Sequence, residues 1–231
     1  MPSRREQCPR CCSATPYFNE LLQQRELAGR STLAAYIAWQ GLGAIELDAL
    51  LTLQAQVTGR WWRRGREYVE IEMTVLRADG SSAGRYRYAE AWSPASAEGL
   101  PVREGAADAL RIADAAAPRW HTARRFTAAM IAAFAKDDPN LHNDAALAHA
   151  AGFEGTVLAG VQQFVLFGEL CADGLGRGFL EHGALETRFV RPVVAGCTLL
   201  AEAVPDEGDS WRLRCSNNAD GKVTAIGRAS I

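Results

Sequence analysis

The sequence predicts an α+β protein in which antiparallel strands curl around one buried helix. Three observations carry that expectation. Residues 158–175 form an almost wholly apolar run of helical length, with Val161, Phe164, Val165, Phe167 and Leu170, which must be covered on most sides. Four strand candidates follow it, at 184–190, 198–204, 211–216 and 223–231, with turn-forming stretches at 205–209 and 217–221 between the last three. Ahead of it, residues 68–76 alternate cleanly, with Val69, Ile71, Met73 and Val75 on one face and Glu70, Glu72 and Thr74 on the other.

The remaining elements follow in chain order. Residues 1–16 carry charge but no apolar stretch behind it, so they read as a mobile leader and not as a secretory signal. Residues 17–28 and 32–40 read as short helices, and 44–59 as a long strand whose period is blurred at Leu50-Leu51. The polar, glycine-containing stretch 78–84 is a turn, and 85–92 returns as a strand, which makes an antiparallel hairpin with 68–76. Between 93 and 119 the composition shifts to Pro, Ala, Gly and charge, as in a connection between units. Beyond it, 126–135 has helical spacing, with Met130, Ile131 and Phe134 on one side. A loop covers 136–143, and Asp144 caps a short helix over 145–150 that Gly152 ends. The organisation expected is a leader at 1–16, a first unit at 17–93, a linker at 94–119 and a second unit at 120–231.

Composition removes several function classes. The chain has 231 residues, 48% of them apolar and 23% charged, and a formal net charge of -2. That is an ordinary globular balance, and it offers no broad positive field for nucleic acid. No apolar run reaches the length that spans a bilayer, so neither a membrane nor nucleic acid is an expected partner, and the cytoplasm is the default location. Cys171, Cys197 and Cys215 sit singly in apolar or alternating stretches and read as reduced thiols. Cys8 and Cys11 have the C-x-x-C spacing of half a zinc site, with Cys12 beside them, but no second ligand pair follows, so no metal is expected. No phosphate loop or dinucleotide-binding glycine fingerprint appears.

Chemistry concentrates in the segment running from Lys136 through Asp137, Asp138, Pro139, Asn140, Leu141, His142 and Asn143 to Asp144, and in the stretch from Ala151 to Val161. An acid and an imidazole a few residues apart on a loop can hold one water between them. The backbone amide that opens the apolar helix, at Gly160, can bind a carbonyl oxygen as negative charge builds on it.

These residues resemble the hydratase signature of the MaoC-like enoyl-thioester hydratases and dehydratases, a family with the hot-dog fold. Its pattern runs approximately G-D-x-N-P-[IL]-H-x-D and then G-[FY]-x-x-x-[IV]-x-H-G-[MT]. Asp137, His142 and Asp144 match the first part, and Gly152, Phe153 and Gly160 the second. The run Arg191-Pro192-Val193-Val194-Ala195-Gly196-Cys197-Thr198-Leu199 is similar to the family's R-P-V-x-x-G-D-T-L, with Cys197 in place of the acid. Asn218-Ala219-Asp220-Gly221 and Gly227-Arg228-Ala229 are similar to its closing hairpin. The family's Asn-Pro stands here as Pro139-Asn140, and the His of its H-G-M is Ala159. An alignment with one residue deleted makes Asp138 the acid instead of Asp137. The likeness covers residues 126–231 and is much weaker over 17–93.

The resemblance implies a double hot-dog protein, with antiparallel sheets wrapped around a buried helix, a degenerate N-terminal unit and a catalytic C-terminal one. It implies reversible addition of water to a trans-2-enoyl thioester, with Asp137 as base, His142 orienting the water and helping to deliver a proton to the α-carbon, and the Gly160 amide stabilising the enolate-like oxygen. The 3-hydroxyacyl product would have the R configuration. Asn140, Arg188 and Arg191 are the substrate-binding candidates, and Arg124 and Arg125 could also meet the phosphates of a coenzyme A. The partner would be an acyl-CoA or acyl carrier protein thioester, and no cofactor is implied, because the thioester itself makes the β-carbon electrophilic. A homodimer is one expectation, since hot-dog sheets commonly pair, and pairing of two units inside one chain is the other. Two rival functions stay open: an acyl-thioester hydrolase, and a non-catalytic acyl-CoA-binding subunit of the same fold.

Overall fold

The computed structural model describes residues 31–46, 48–93, 97–103, 117–135 and 139–231. Its strands are β1 (Ser31–Gly41), β2 (Thr52–Arg63), β3 (Arg66–Leu76), β4 (Ser82–Ser93), β5 (Trp120–Arg125), β6 (Ala184–Phe189), β7 (Thr198–Pro205), β8 (Ser210–Asn217) and β9 (Val223–Ser230). Its helices are α1 (Ala128–Phe134), α2 (Ala145–Ala150), α3 (Gly160–Leu175) and α4 (Arg177–His182). The described strands make one antiparallel sheet in the order β2-β3-β4-β1-β6-β9-β8-β7-β5.

That sheet has a joint at its centre. β1 pairs with β4 on one edge and with β6 on the other, so the two halves of the chain share one continuous ladder. Residues 32–40, expected as a helix, form most of β1. Three alanines, Ala34, Ala35 and Ala38, favour a helix locally, but the segment hydrogen-bonds along both edges and buries Ile37 and Trp39 on one face. Tertiary pairing overrides a weak local preference. The strand expected over 44–59 begins only at Thr52 and continues to Arg63. Its period is broken at Leu50-Leu51, and Leu50 is 82% exposed. Strand β5 and helix α4 had no counterpart in the sequence reading. The expected leader and the helix expected over 17–28 lie outside the described residues.

The hairpin was legible from its alternation. Val69, Ile71, Met73 and Val75 are all buried on one face of β3, and β4 pairs with it from Glu67↔Trp92 to Leu76↔Ser82. In the second half, α3 packs against β1, β5, β6 and β7, with Phe164, Leu166, Phe167 and Cys171 fully buried. An all-round apolar helix is stable only with such cover. Cys171, Cys197 and Cys215 are free thiols, and burial pushes Cys171 up to about 12 and Cys215 up to about 11, which keeps both as inert core groups. Within the expected linker, residues 97–103 run beside β2: Trp62 N–H donates to the Pro101 carbonyl (2.9 Å) and Arg103 N–H to the Trp62 carbonyl (3.1 Å). Among the described residues, no helix is long and apolar enough to cross a membrane.

Candidate functional site

His142 is held by the loop that precedes α2. Asn140 starts a turn in which its Oδ1 accepts from His142 N–H (2.8 Å), while its own N–H donates to Asn143 Oδ1 (2.8 Å). Asp144 then caps α2, its Oδ1 accepting from Ala146 and Leu147 N–H, as the sequence pattern required. The whole turn is tied to one extended residue near α3. Val157 N–H donates to the Leu141 carbonyl (2.9 Å), and the Val157 carbonyl accepts from His142 Nδ1 (2.6 Å).

That second bond fixes the chemistry of the ring. A carbonyl can only accept, so Nδ1 carries the proton and the neutral ring keeps a lone pair on Nε2. Burial lowers the pKa of His142 below its ordinary value, against the Val157 hydrogen bond, which raises it. The imidazole is therefore neutral around pH 7. No described residue bonds Nε2, and His142 lines a cavity of about 530 Å³.

Gly160 lines the same cavity and opens α3. The Ala159 N–H just before it is taken by Gln162 Oε1 (3.2 Å), whereas no described residue accepts from Gly160 N–H. An amide at the first position of a helix points outward and carries partial positive charge. The glycine itself answers a steric requirement. A Cβ at 160 would stand 2.6 Å from Ala34 Cβ and 3.0 Å from Phe189 Cε2, so only a bare backbone lets β1 and β6 close over the start of the helix.

The remaining candidates divide. Asn140 lines the cavity and shapes the turn. Arg191 stands exposed at the cavity wall, and its Nη1 donates to the Val223 carbonyl (2.8 Å). Arg188 does not line the cavity; its guanidinium lies 5.9 Å from the ring centre of Tyr36, with which it is paired across β1 and β6. Phe189, the next residue, points into the cavity, and strand alternation sends Arg188 to the other face. Arg124 pairs with Glu169 at 2.6 Å. Asp137 and Asp138 lie outside the described residues. Phe134, Ala135 and Pro139, their described neighbours in sequence, line the cavity.

The first half supplies cavity groups that the sequence reading missed. Glu90 is 6% exposed and lines the cavity, its two oxygens accepting from Tyr88 Oη (2.7 Å) and Trp92 Nε1 (3.2 Å). Burial raises its pKa to about 7, against the two hydrogen bonds, which lower it. Gln163 also lines the cavity at 2% exposure, and its Oε1 has no hydrogen-bond partner among the described residues. Both could have been flagged. Glu90 shares a strand face with Tyr86, Tyr88 and Trp92, and Gln162-Gln163 interrupts an apolar helix; a polar residue on such a face is the anomaly that marks a site.

No family model matches the chain, and no curated protein matches it in sequence. Solved structures do match. A MaoC-like dehydratase from Phytophthora capsici superposes with a TM-score of 0.70 at 16% identity, over 86% of this chain and 71% of that one. HtdX from Mycobacterium tuberculosis gives 0.71 at 16% identity, over 94% and 84%. The chain has a hot-dog fold. The hot-dog likeness extends to an acyl-ACP thioesterase from Bacteroides thetaiotaomicron, with a TM-score of 0.55 at 12% identity over 93% and 88% of the two chains. The chain also matches the full-length peroxisomal multifunctional enzyme type 2 of Drosophila melanogaster, with a TM-score of 0.70 at 16% identity, over 95% of this chain and 40% of that one. At these identities the likeness is one of fold. In the hot-dog frame, α3 is the helix that the sheet wraps, and the cavity opens at its N-terminus.

Proposed function

We propose that the protein hydrates a trans-2-enoyl thioester, or dehydrates the corresponding 3-hydroxyacyl thioester, in the cavity at the start of α3. The observation that carries this reading is the tautomer of His142. His142, whose Nε2 is left as an acceptor, lines a cavity also lined by Gly160, so one group can hold a water and the other a thioester carbonyl. The dehydratases of similar fold support the same chemistry.

In the hydration direction, a water donates to Nε2 of His142 and its oxygen attacks the β-carbon. One O–H bond breaks, a C–O bond forms, and the double-bond electrons move toward the thioester oxygen, where the Gly160 N–H meets the charge. Asp137, or Asp138 in the gapped alignment, shares the water and serves as the base. The carboxylic acid so formed gives that proton to the α-carbon, directly or through His142, the carbonyl re-forms and the carboxylate is restored. A neutral imidazole with its proton committed to Val157 must accept before it can donate, so His142 takes part in the return of the proton only after it has received one. Asn140 sets the ring's position, and Arg191 is the arginine placed to meet the thioester carrier. On this reading the chain holds two hot-dog units, 17–93 and 120–231, with 1–16 as leader and 94–119 as linker.

Crotonyl-CoA in one reaction tests the reading. Loss of the enoyl double bond with the thioester intact supports hydration. Release of free thiol would instead establish the hydrolase reading, for which the thioesterases of similar fold speak. Binding without either change would leave an acyl-binding subunit.

A further inference from the structure

The first turn of α3 carries two adjacent glutamines, and they behave differently. Gln162 reaches back to the start of the helix, where its Oε1 accepts from Ala159 N–H (3.2 Å). Gln163 stands three residues after Gly160, as Gln162 does after Ala159, so Gly160 and Gln163 share a helix face, and both line the cavity. A long side chain on a helix leans over the turn before its own Cα, which directs Gln163 toward the end where Gly160 N–H emerges. Yet Gln163 does not repeat its neighbour's bond. Among the described residues nothing bonds either atom of its amide, although the residue is only 2% exposed, and an unpaired buried amide is costly. Oε1 is the atom cut off from solvent; Nε2 is not, and it turns toward the cavity. The opposite orientation would bury two unmet N–H donors in place of one unmet oxygen, and orphaned N–H groups are the rarer of the two. The open end of α3 thus offers the cavity two donors, the backbone N–H of Gly160 and the side-chain N–H of Gln163.

We propose that Gln163 is a catalytic residue, its Nε2–H donating to the thioester oxygen beside the Gly160 N–H. This rests on the acyl-thioester reading above and adds a second donor to it. A carbonyl oxygen has two lone pairs, one for each N–H. Binding of the thioester gives Nε2 the acceptor that the protein withholds. As the double-bond electrons move toward that oxygen its negative charge grows, and both donors hold the charged form more strongly than the neutral carbonyl. The contribution of Gln163 therefore falls on turnover more than on binding.

The test uses the full chain and reads the carbonyl itself. The probe is an analogue of butanoyl-CoA in which a methylene group replaces the thioester sulfur and the carbonyl carbon is isotopically labelled. It keeps the carbonyl oxygen and can be neither hydrated nor hydrolysed. Each hydrogen bond accepted lowers the stretching frequency of that carbonyl in the infrared difference spectrum. The band of the bound analogue should lie lower in the wild type than in Gln163→Met, whose unbranched side chain is similar in length and cannot donate. With crotonyl-CoA, kcat should fall in the variant by about a hundredfold or more, the scale of one oxyanion donor, while KM stays nearly unchanged. A glutamine that merely filled space would leave the band where it is. Equal bands in the two proteins, or equal kcat, overturn the inference while leaving hydration to be judged by the wild type on crotonyl-CoA. A band that depends on Gln163 in a wild type that turns over no enoyl thioester upholds the contact with the carbonyl and removes the hydratase reading. Failure of the analogue to bind overturns both. Should Gln163→Met not fold, Gln163→Leu, an apolar residue of similar volume, serves in its place.

Discussion

The two halves of the sheet meet at β1 and treat their polar residues differently. In the second half, the loop before α2 and the start of α3 expend side-chain and backbone hydrogen bonds on aiming groups: Asn140 on the His142 amide, Val157 on the His142 ring, Gln162 on the Ala159 amide. In the first half, the polar residues of β4 bond to each other, Tyr88 and Trp92 to Glu90, along one strand face. The former arrangement leaves one nitrogen and one amide free for chemistry. The latter spends its polar groups on one another. The difference sets a reacting end against a wall of mutually bonded groups, and it can be broken by substituting each half separately.

The largest effect belongs to the reacting end. His142→Ala should lower turnover by about 10² to 10⁴, the usual contribution of a positioned acid or base. Folding should persist, because the bonds that hold the loop, from Val157 N–H to the Leu141 carbonyl and from Ala146 N–H to Asp144 Oδ1, do not use the ring. Asp137→Asn and Asp138→Asn, compared side by side, assign the carboxylate: the one that loses about a hundredfold or more is the base. A loss of similar size from Glu90→Gln, with crotonyl-CoA as substrate, would erase the division.

Glu90 gives the second effect, on stability. Its carboxyl is raised from 4.5 to about 7 by burial, so the folded protein holds the proton more tightly than the unfolded chain does. Stability from this group is fully present below pH 4.5 and is lost as pH rises through 7, by about 3 kcal/mol in total at 1.36 kcal/mol per unit. Chemical denaturation at pH 5 and pH 8 should therefore show a larger drop for the wild type than for Glu90→Gln, whose side chain does not ionise. Equal drops in the two proteins would mean that the carboxylate keeps more water than its burial indicates.

The joint itself gives a third. Gly160→Ala places a methyl 2.6 Å from Ala34 Cβ and should cost about 1 to 3 kcal/mol in thermal unfolding, the usual range for an overpacked contact. Because the same contact positions the amide, turnover should fall along with it. A variant that folds as well as wild type and keeps full turnover would show that β1 can move away from α3, and that the halves are less tightly coupled than their shared ladder suggests.

The sequence was legible where one physical signal stood alone. Residues 184–231 alternate between punctuating turns, and every strand read there is present within a residue or two at its ends. Asp144 as a cap and α3 as a covered helix follow from side-chain chemistry that acts locally. β1 was misread because its alanines speak for a helix while its structure comes from two partners distant in sequence, β4 and β6. His142 is singled out by its motif, but its tautomer depends on a carbonyl fifteen residues away, at Val157, which no motif encodes. Arg188, a substrate-binding candidate, does not line the cavity, because the motif supplies a residue and only the strand's alternation decides which face it takes. Glu90 belongs to no motif, and only the register that sets it between Val69 and Ala34 reveals how dry its surroundings are.

The smallest predicted effect is a displacement of a pH limb, and it tests whether the two halves titrate independently. His142 must be neutral for Nε2 to accept, and burial lowers its pKa below 6.5, so the acid limb of kcat/KM on crotonyl-CoA should lie below that value. Glu90 titrates higher, near 7, through burial of its own. If the reacting end and the β4 wall are separate, a profile on the short substrate reports His142 alone, and Glu90→Gln leaves the limb in place. The Val157 carbonyl, not a group of β4, accepts the Nδ1 proton, so the limb should also be insensitive to substitutions on β4. A limb near 7 that moves on Glu90→Gln would instead place the carboxylate within electrostatic reach of the water that His142 holds, and the wall would then be part of the reacting end.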